Sequence, residues 1–439
     1  MQRVLFKEYY SRNIIQEIFL RNFFRMGIFI HKIFPRLLLA IGFCMTLVVC
    51  SISVVSAAED HGYEMLEEKA LGQEVSFNAW GGSPAINNYI QWVARQVDER
   101  YGIRLKHIKL TNTSQAVSRI LAEKVAGRTE NGSVDLLWVN GENFSRMINA
   151  GLLQKDSWAF ELPSFRYVNS EKMPDIISDF GVSTNGLESP WGRGQFVFGY
   201  DSQIVDTVPN SANKLANWIK NNPGKFAYPQ PPDFTGTSFL KQVLFELIED
   251  QMALYQNTNQ VNASELLAPL WQWLDDLHPY LWRSGKIFPS NYSHLVRLLG
   301  DKEIAFAMAF NPAEFALGVE QGILPATIKS FIFDKGALSN VHFVAIPFNA
   351  DAPEAAKITA NFLLSPEAQL YKANIKMWGD PTVLDLDLLP DEWRREFSSL
   401  PQHPSMVSVE QLQKIIPEPH PSWVKLIEEE WQKRYAAGG

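Results

Sequence analysis

Twice in the first third of the chain a strand runs into a short polar turn that opens directly on a helix, and this unit narrows the class of fold more than any other feature. The first instance is VSFNAWGGSPAINNYI, from Val75 to Ile90. Val75, Phe77 and Ala79 alternate with polar residues, Gly81 and Gly82 permit a sharp turn, and Ser83 before Pro84 is an N-cap followed by proline at the first helical position. The second is VDLLWV, from Val134 to Val139, a largely apolar strand of the kind buried on both faces. It ends in Asn140, Gly141, Glu142 and Asn143, and a helix begins at Phe144. Strands that alternate with helices build a parallel sheet whose loops gather at the carboxyl edge of the strands, so an α/β architecture is expected.

The chain has 439 residues, 46% of them apolar. One core usually divides beyond ~250 to 300 residues, which predicts two lobes. A leader precedes them. Basic residues at Arg3, Lys7, Arg12, Arg21, Arg25, Lys32 and Arg36 come before an apolar run from Leu37 to Ala57, and Val55 and Ala57 form a small-residue cleavage site. Residues 1–57 are therefore expected to be a signal peptide for export to the periplasm, and a start at Met26 would give it an ordinary length. A lipid anchor at Cys50, where Val49 stands in place of a small residue, and an uncleaved membrane anchor are the competing readings. Both cysteines, Cys44 and Cys50, fall in the leader, so the exported part has no thiol, disulfide or cysteine metal site. Seven basic and two acidic residues go with it, which leaves 33 basic against 46 acidic residues and a net charge of −13. That balance argues against nucleic acid as a partner.

Further along, apolar spacing predicts a helix from Pro84 to about Tyr101, a strand over Arg104–Leu110 and a helix over Ser114–Ala126. Residues Leu152–Leu187 read as loop. Gln195–Tyr200, inside PWGRGQFVFGYDSQIV, reads as a strand that crosses between lobes. A helix at Ser211–Lys220, a strand at Lys225–Tyr228, the loop PQPPDFTGTS and a helix from Ser238 form the next unit. Glu303–Phe310 is a strand ending in Asn311, Pro312, Ala313 and Glu314; Val341–Pro347 is a returning strand; Pro353–Ala373 is one long helix. The expected division is 58–195 and 346–380 for the first lobe, 196–345 for the second, and 381–439 for a C-terminal helical part packing on the lobes.

Enzyme signatures are missing. The chain has no GxSxG, HExxH, GxxxxGK[ST] or GxGxxG, and its eight histidines show no metal-ligand spacing. Paired carboxylates and tryptophans also build glycosidase clefts, so a secreted carbohydrate-active hydrolase is the competing function, and a binding protein serving a sensor is another.

Five segments, NAWGGSP, VDLLWVNGENF, PWGRGQFVFGYDS, EIAFAMAFNPAEF and VAIPFNADAPEAAKITANFLLSPEAQLYKA, together resemble the bacterial extracellular solute-binding proteins of ABC importers. The class is the two-lobed one that includes thiamine, iron, polyamine and maltose binders, and the likeness is greatest to its YnjB-type subfamily. It spans nearly all of residues 70–435. It implies a type II Venus-flytrap fold, with each lobe a mainly parallel sheet flanked by helices, joined by crossing strands. It further implies a monomer, no cofactor and no metal, with the solute held between lobes whose closure presents a surface to the permease and its ATPase. Closure of this kind is a population shift, because a ligand touching both lobes binds the closed state better.

Carried over loop by loop, the resemblance lines the cleft with Trp80, Gly82 and Ser83, then Asn140, Glu142 and Asn143, then Trp191 and Arg193. The other lobe adds Asp233, Thr235, Thr237 and Ser238, then Asn311 and Glu314, with Trp378 near the return. Each has a structural alternative: core or hinge packing for Trp191 and Trp378, solvated or capping roles for Glu142 and Glu314, an N-cap for Thr237 or Ser238. Three acids and several indoles suit a cationic or aromatic solute, thiamine-like or an amine, since a cation over an indole gains about 0.5 to 2 kcal/mol. Arg193 and the helix starts suit a carboxylate or oxyanion equally. Ferric ion fits poorly: iron binders of this class use adjacent tyrosines, and the only such pair, Tyr9 and Tyr10, is in the leader.

Overall fold

The computed structural model describes residues 63–436. The expectations for the leader, its cleavage, the start at Met26 and the two cysteines lie outside them. From Leu66 on, the chain forms one contact-linked unit. It opens with β1 (Glu74–Trp80), α1 (Pro84–Tyr101), β2 (Arg104–Leu110), α2 (Ser114–Val125), β3 (Leu136–Val139) and α3 (Gly141–Asn149). The periodicities act as the sequence requires: Val75, Phe77 and Ala79 of β1 are fully buried, and Ile86, Ile90, Val93 and Val97 turn one face of α1 inward. Gly102 ends α1 at φ 64°, the left-handed cap that glycine adopts at little cost. Residues 152–187, expected as loop, hold short 3-10 turns and a small hairpin of β4 (Ser178–Asp179) and β5 (Val182–Ser183).

β6 (Glu188–Gln195) and β7 (Val197–Asp201) follow, then α4 (Ala212–Asn221), α5 (Phe234–Leu247), α6 (Ala263–Leu277), α7 (Tyr292–Gly300), β8 (Phe306–Ala309), α8 (Glu314–Glu320) and β9 (Ile328–Phe331). β10 (Ala337–Ala345) leads to α9 (Pro353–Leu364) and α10 (Pro366–Ala373), and the chain ends with α11 (Asp391–Ser398), α12 (Val409–Leu412), β11 (Ile415–Pro417) and α13 (Ser422–Trp431). The single helix expected over Pro353–Ala373 is broken at Ser365. Pro366 cannot continue a helix, and Ser365 caps the next one by accepting from the Ala368 amide. No strand forms at Lys225–Tyr228; Phe226 and Tyr228 are buried there without a ladder.

The larger sheet runs β11–β10–β3–β1–β2, with β6 on the other edge of β10. β1 is parallel to β2 and to β3, as expected, while β10 is antiparallel to β3 and β6. The smaller sheet, β8–β7–β9, is antiparallel throughout, unlike the parallel arrangement expected for the second lobe. Its strands flank β7, which continues directly from β6, so the crossing strand sets their direction.

Among the described residues, two of the buried cores correspond to the two lobes. Val341, Phe343 and Ala345 of β10 join the core around Val117, Leu137 and Phe144, whereas Ala337 and Leu338 of the same strand join the core around Phe198, Phe239 and Phe306. The chain passes between these cores between Leu187 and Phe196, again within β10, and a third time between Leu400 and Val407.

Candidate functional site

A cavity of about 340 Å³ opens between the two cores. The carboxyl ends of the strands supply its first wall: Trp80 ends β1, Ser83 precedes α1, Asn140 follows β3, and Glu142 and Asn143 stand in the first turn of α3. The opposite wall comes from the start of α5 with Asp233, Thr235 and Thr237, and from Asn311 and Glu314 between β8 and α8. Trp378 lies at the base, and Asn311 Nδ2 donates to its carbonyl at 3.1 Å, tying the lobes together there.

Four expected residues stand off the cavity. A side chain at Gly82 would place its Cβ 2.3 Å from Cζ2 of Trp80, so Gly82 is the backing for that indole. Trp191 is fully buried and packs edge-on against Trp138 at 4.9 Å, with Tyr89 and Trp378 around it. Arg193 is 8% exposed and donates to Asp175 Oδ1 at 2.8 Å. Ser238 is buried inside α5, because that helix starts at Phe234 rather than at Ser238.

The cavity also takes in residues that the sequence did not single out, namely Phe180, Lys241, Tyr292, Asn340, His342, Asp380 and Glu428. Lys241 sits one helical turn after Thr237, a spacing that could have placed it. Asp380, in the string Trp378-Gly379-Asp380, takes hydrogen bonds from Lys372 and from His342 Nε2, the latter at 3.0 Å. Burial alone would raise that carboxyl; Lys372 and His342 hold it below its ordinary value. Among the described residues no group of three or more His, Cys, Asp or Glu is placed to hold a metal, and no helix is long and apolar enough to cross a membrane.

The remaining carboxylates behave differently. Asp233 caps α5, accepting from the amides of Thr235 and Gly236, and burial pushes its carboxyl up against the pull of those bonds. Glu314 is half-buried, and loss of water raises its carboxyl, with the Tyr292 hydroxyl and Asn311 as partners. Water reaches Glu142 through the cavity, but protein crowds most of its surroundings. That loss of water pushes its carboxyl up, and Lys241 and Arg146 pull it part of the way back. Glu428 is raised by burial and further by the Glu142 charge, while Thr237 Oγ1 donates to it at 2.8 Å. Lys241 Nζ is held by Glu418 Oε2 at 2.5 Å, both side chains being 2% exposed.

A cleft walled by two α/β lobes joined through crossing strands is the architecture of a solute-binding protein. The chain belongs to the bacterial extracellular solute-binding proteins, whose family profile matches residues 92–396. It is 45% identical over 384 residues to Protein YnjB of Escherichia coli (strain K12), an alignment covering 87% of this chain and 96% of that one. Among solved structures, the periplasmic binding protein AfuA from Actinobacillus pleuropneumoniae, with fructose-6-phosphate bound, superposes with a TM-score of 0.56 at 16% identity, covering 83% of this chain and 99% of that one. The spermidine/putrescine ABC transporter substrate-binding protein PotD from Streptococcus pneumoniae gives 0.54 at 14% identity, covering 82% and 99%. At such identities these two likenesses concern the fold.

Proposed function

We propose that the protein is the extracytoplasmic solute-capturing component of an ABC importer, that it takes a small cationic, ring-bearing solute into the cavity between its lobes, and that closure of the lobes delivers the solute to a membrane permease and its ATPase. The observation that carries the cationic reading is the state of the positive groups. Lys241 is engaged by Glu418, Lys372 and His342 by Asp380, and Arg193 by Asp175 away from the cavity. The first amides of α5, which could have received an anion, are taken by Asp233. An oxyanion would therefore find its donors occupied, whereas Glu142 and Glu428 face the cavity beside aromatic rings.

Trp80, Trp138, Phe234 and Trp378 line the same space. A cation over such a face gains about 0.5 to 2 kcal/mol once water is removed. Because the walls come from different lobes, a solute touching both favours the closed state, which is what capture and delivery require.

Thermal unfolding of the purified protein with thiamine, putrescine, glucose or inorganic phosphate tests this reading. Stabilisation by one of the two cations, without turnover, is expected. Stabilisation by glucose or phosphate alone would overturn it.

A further inference from the structure

We infer that the C-terminal helix is part of the recognition site, with Glu428 on α13 and Glu142 on α3 holding the cationic group of the solute between them. The inference rests on the cationic reading above and adds to it a place and a second wall. The family profile matches residues 92–396, and α13 lies beyond that match.

The helix is anchored and two-faced. Trp423, Ile427 and Trp431, spaced four apart, are 0%, 0% and 1% exposed in the core of the second lobe. Trp423 Nε1 donates to the Gln256 carbonyl at 3.0 Å, and Trp431 Nε1 donates to the Tyr228 hydroxyl at 2.9 Å. Val424 and Glu428, one step around the helix and again four apart, line the cavity. The hydrogen bond from Thr237 fixes one oxygen of Glu428, so the carboxylate is presented by a rigid element rather than by a mobile tail.

Opposite it, Glu142 belongs to the other lobe, and each carboxylate lies within electrostatic reach of its counterpart and of Lys241. Lys241 cannot neutralise both. Its ammonium is spent on Glu418 and enclosed by the rings of Phe180 and Phe234 at 5.0 and 5.9 Å. Thr235, 6% exposed, lines the same cavity. Two like charges brought together by the lobes repel, and a cation between them turns that repulsion into attraction to both lobes at once.

The test is titration calorimetry of the full exported chain with thiamine, putrescine and agmatine, comparing the unsubstituted protein with Glu428→Gln, Glu142→Gln, both together, and Trp80→Ala. At least one cation is expected to bind. Glu428→Gln and Glu142→Gln should each weaken that binding at least tenfold with unchanged melting, and their effects should be non-additive because they share one group. If Glu428→Gln binds like the parent while Trp80→Ala loses binding, the cavity stands and the role of α13 is overturned. Failure of all three cations to bind the unsubstituted protein overturns the cationic reading and this inference with it.

Discussion

Gly141 and Phe180 compete for one space: a Cβ on Gly141 would lie 2.3 Å from Cδ2 of the Phe180 ring. Both backbones are in the positive-φ region, Gly141 at 27° and Phe180 at 45°, and for a bulky residue that conformation is uncommon. The ring is held there because it fills the missing side chain of Gly141 on one side and meets Lys241 Nζ at 5.0 Å on the other. A two-residue hairpin of the first lobe thus touches α5 of the second at the edge of the cavity.

Gly141→Ala should consequently displace Phe180 and cost about 1 to 3 kcal/mol of stability, the usual range for forcing a group into a packed site. Phe180→Ala in that background should recover part of the loss, since it removes the atoms in the way. Urea unfolding of the two single variants and the double variant reads this directly. Strictly additive losses would mean that the contact is not what Gly141 is needed for.

Asp179, next to Phe180 in the same hairpin, supplies a pH dependence. It is 1% exposed, and burial pushes its carboxyl from an ordinary 3.8 up to about 8, with the Glu418 charge adding and the Gly141 amide opposing. Glu188, also buried, is pushed well up by burial and by Asp179. A folded-state pKa above the unfolded one gives stability that is complete below the unfolded value and lost as pH rises through the folded one. Stability should accordingly fall between about pH 4 and about pH 8, at up to about 1.4 kcal/mol per pH unit from this group. Asp179→Asn should flatten that fall and be the more stable protein near its upper end. Urea midpoints of parent and variant across the interval check this, and parallel profiles would contradict it.

How much of the site the sequence disclosed follows from which physical rule placed each residue. Asn140 and Glu142 stand just past β3, where loops at the carboxyl edge of parallel strands converge on a cleft, whereas Asn311 and Glu314 follow β8 of the antiparallel sheet, and it is the family resemblance rather than spacing alone that carries all four to the cavity. Arg193 and Trp191 sit on β6, which is buried along its whole length. A strand covered on both faces gives no alternation from which to read which side a residue serves. Ser238 was placed at a helix start, but Asp233 caps α5 five residues earlier and turns Ser238 into the core. Lys241 and Glu428 needed knowledge of which face of α5 and α13 meets the opposite lobe. β9, antiparallel to β7, and β11, parallel to β10, are short strands whose pairing depends on a distant partner rather than on local pattern.

Trp191 separates support of the site from contact with the solute. It does not line the cavity, yet it packs against Trp138 and Trp378, which do, and against Tyr89 and Phe77 behind them. Trp191→Ala should therefore cost about 3 to 5 kcal/mol in stability, the range for emptying an aromatic position in a core. Trp191→Phe, which keeps a ring there, should cost less and leave solute affinity within a few-fold of the parent. Trp80→Ala should do the reverse, because Trp80 is only partly buried and its indole faces the cavity: a small change in the urea midpoint and a large loss of affinity. Calorimetric affinity and urea midpoint measured on the three variants place each tryptophan on one axis or the other. A Trp191→Phe protein as stable as the parent but unable to bind would show that this ring reaches the solute after all.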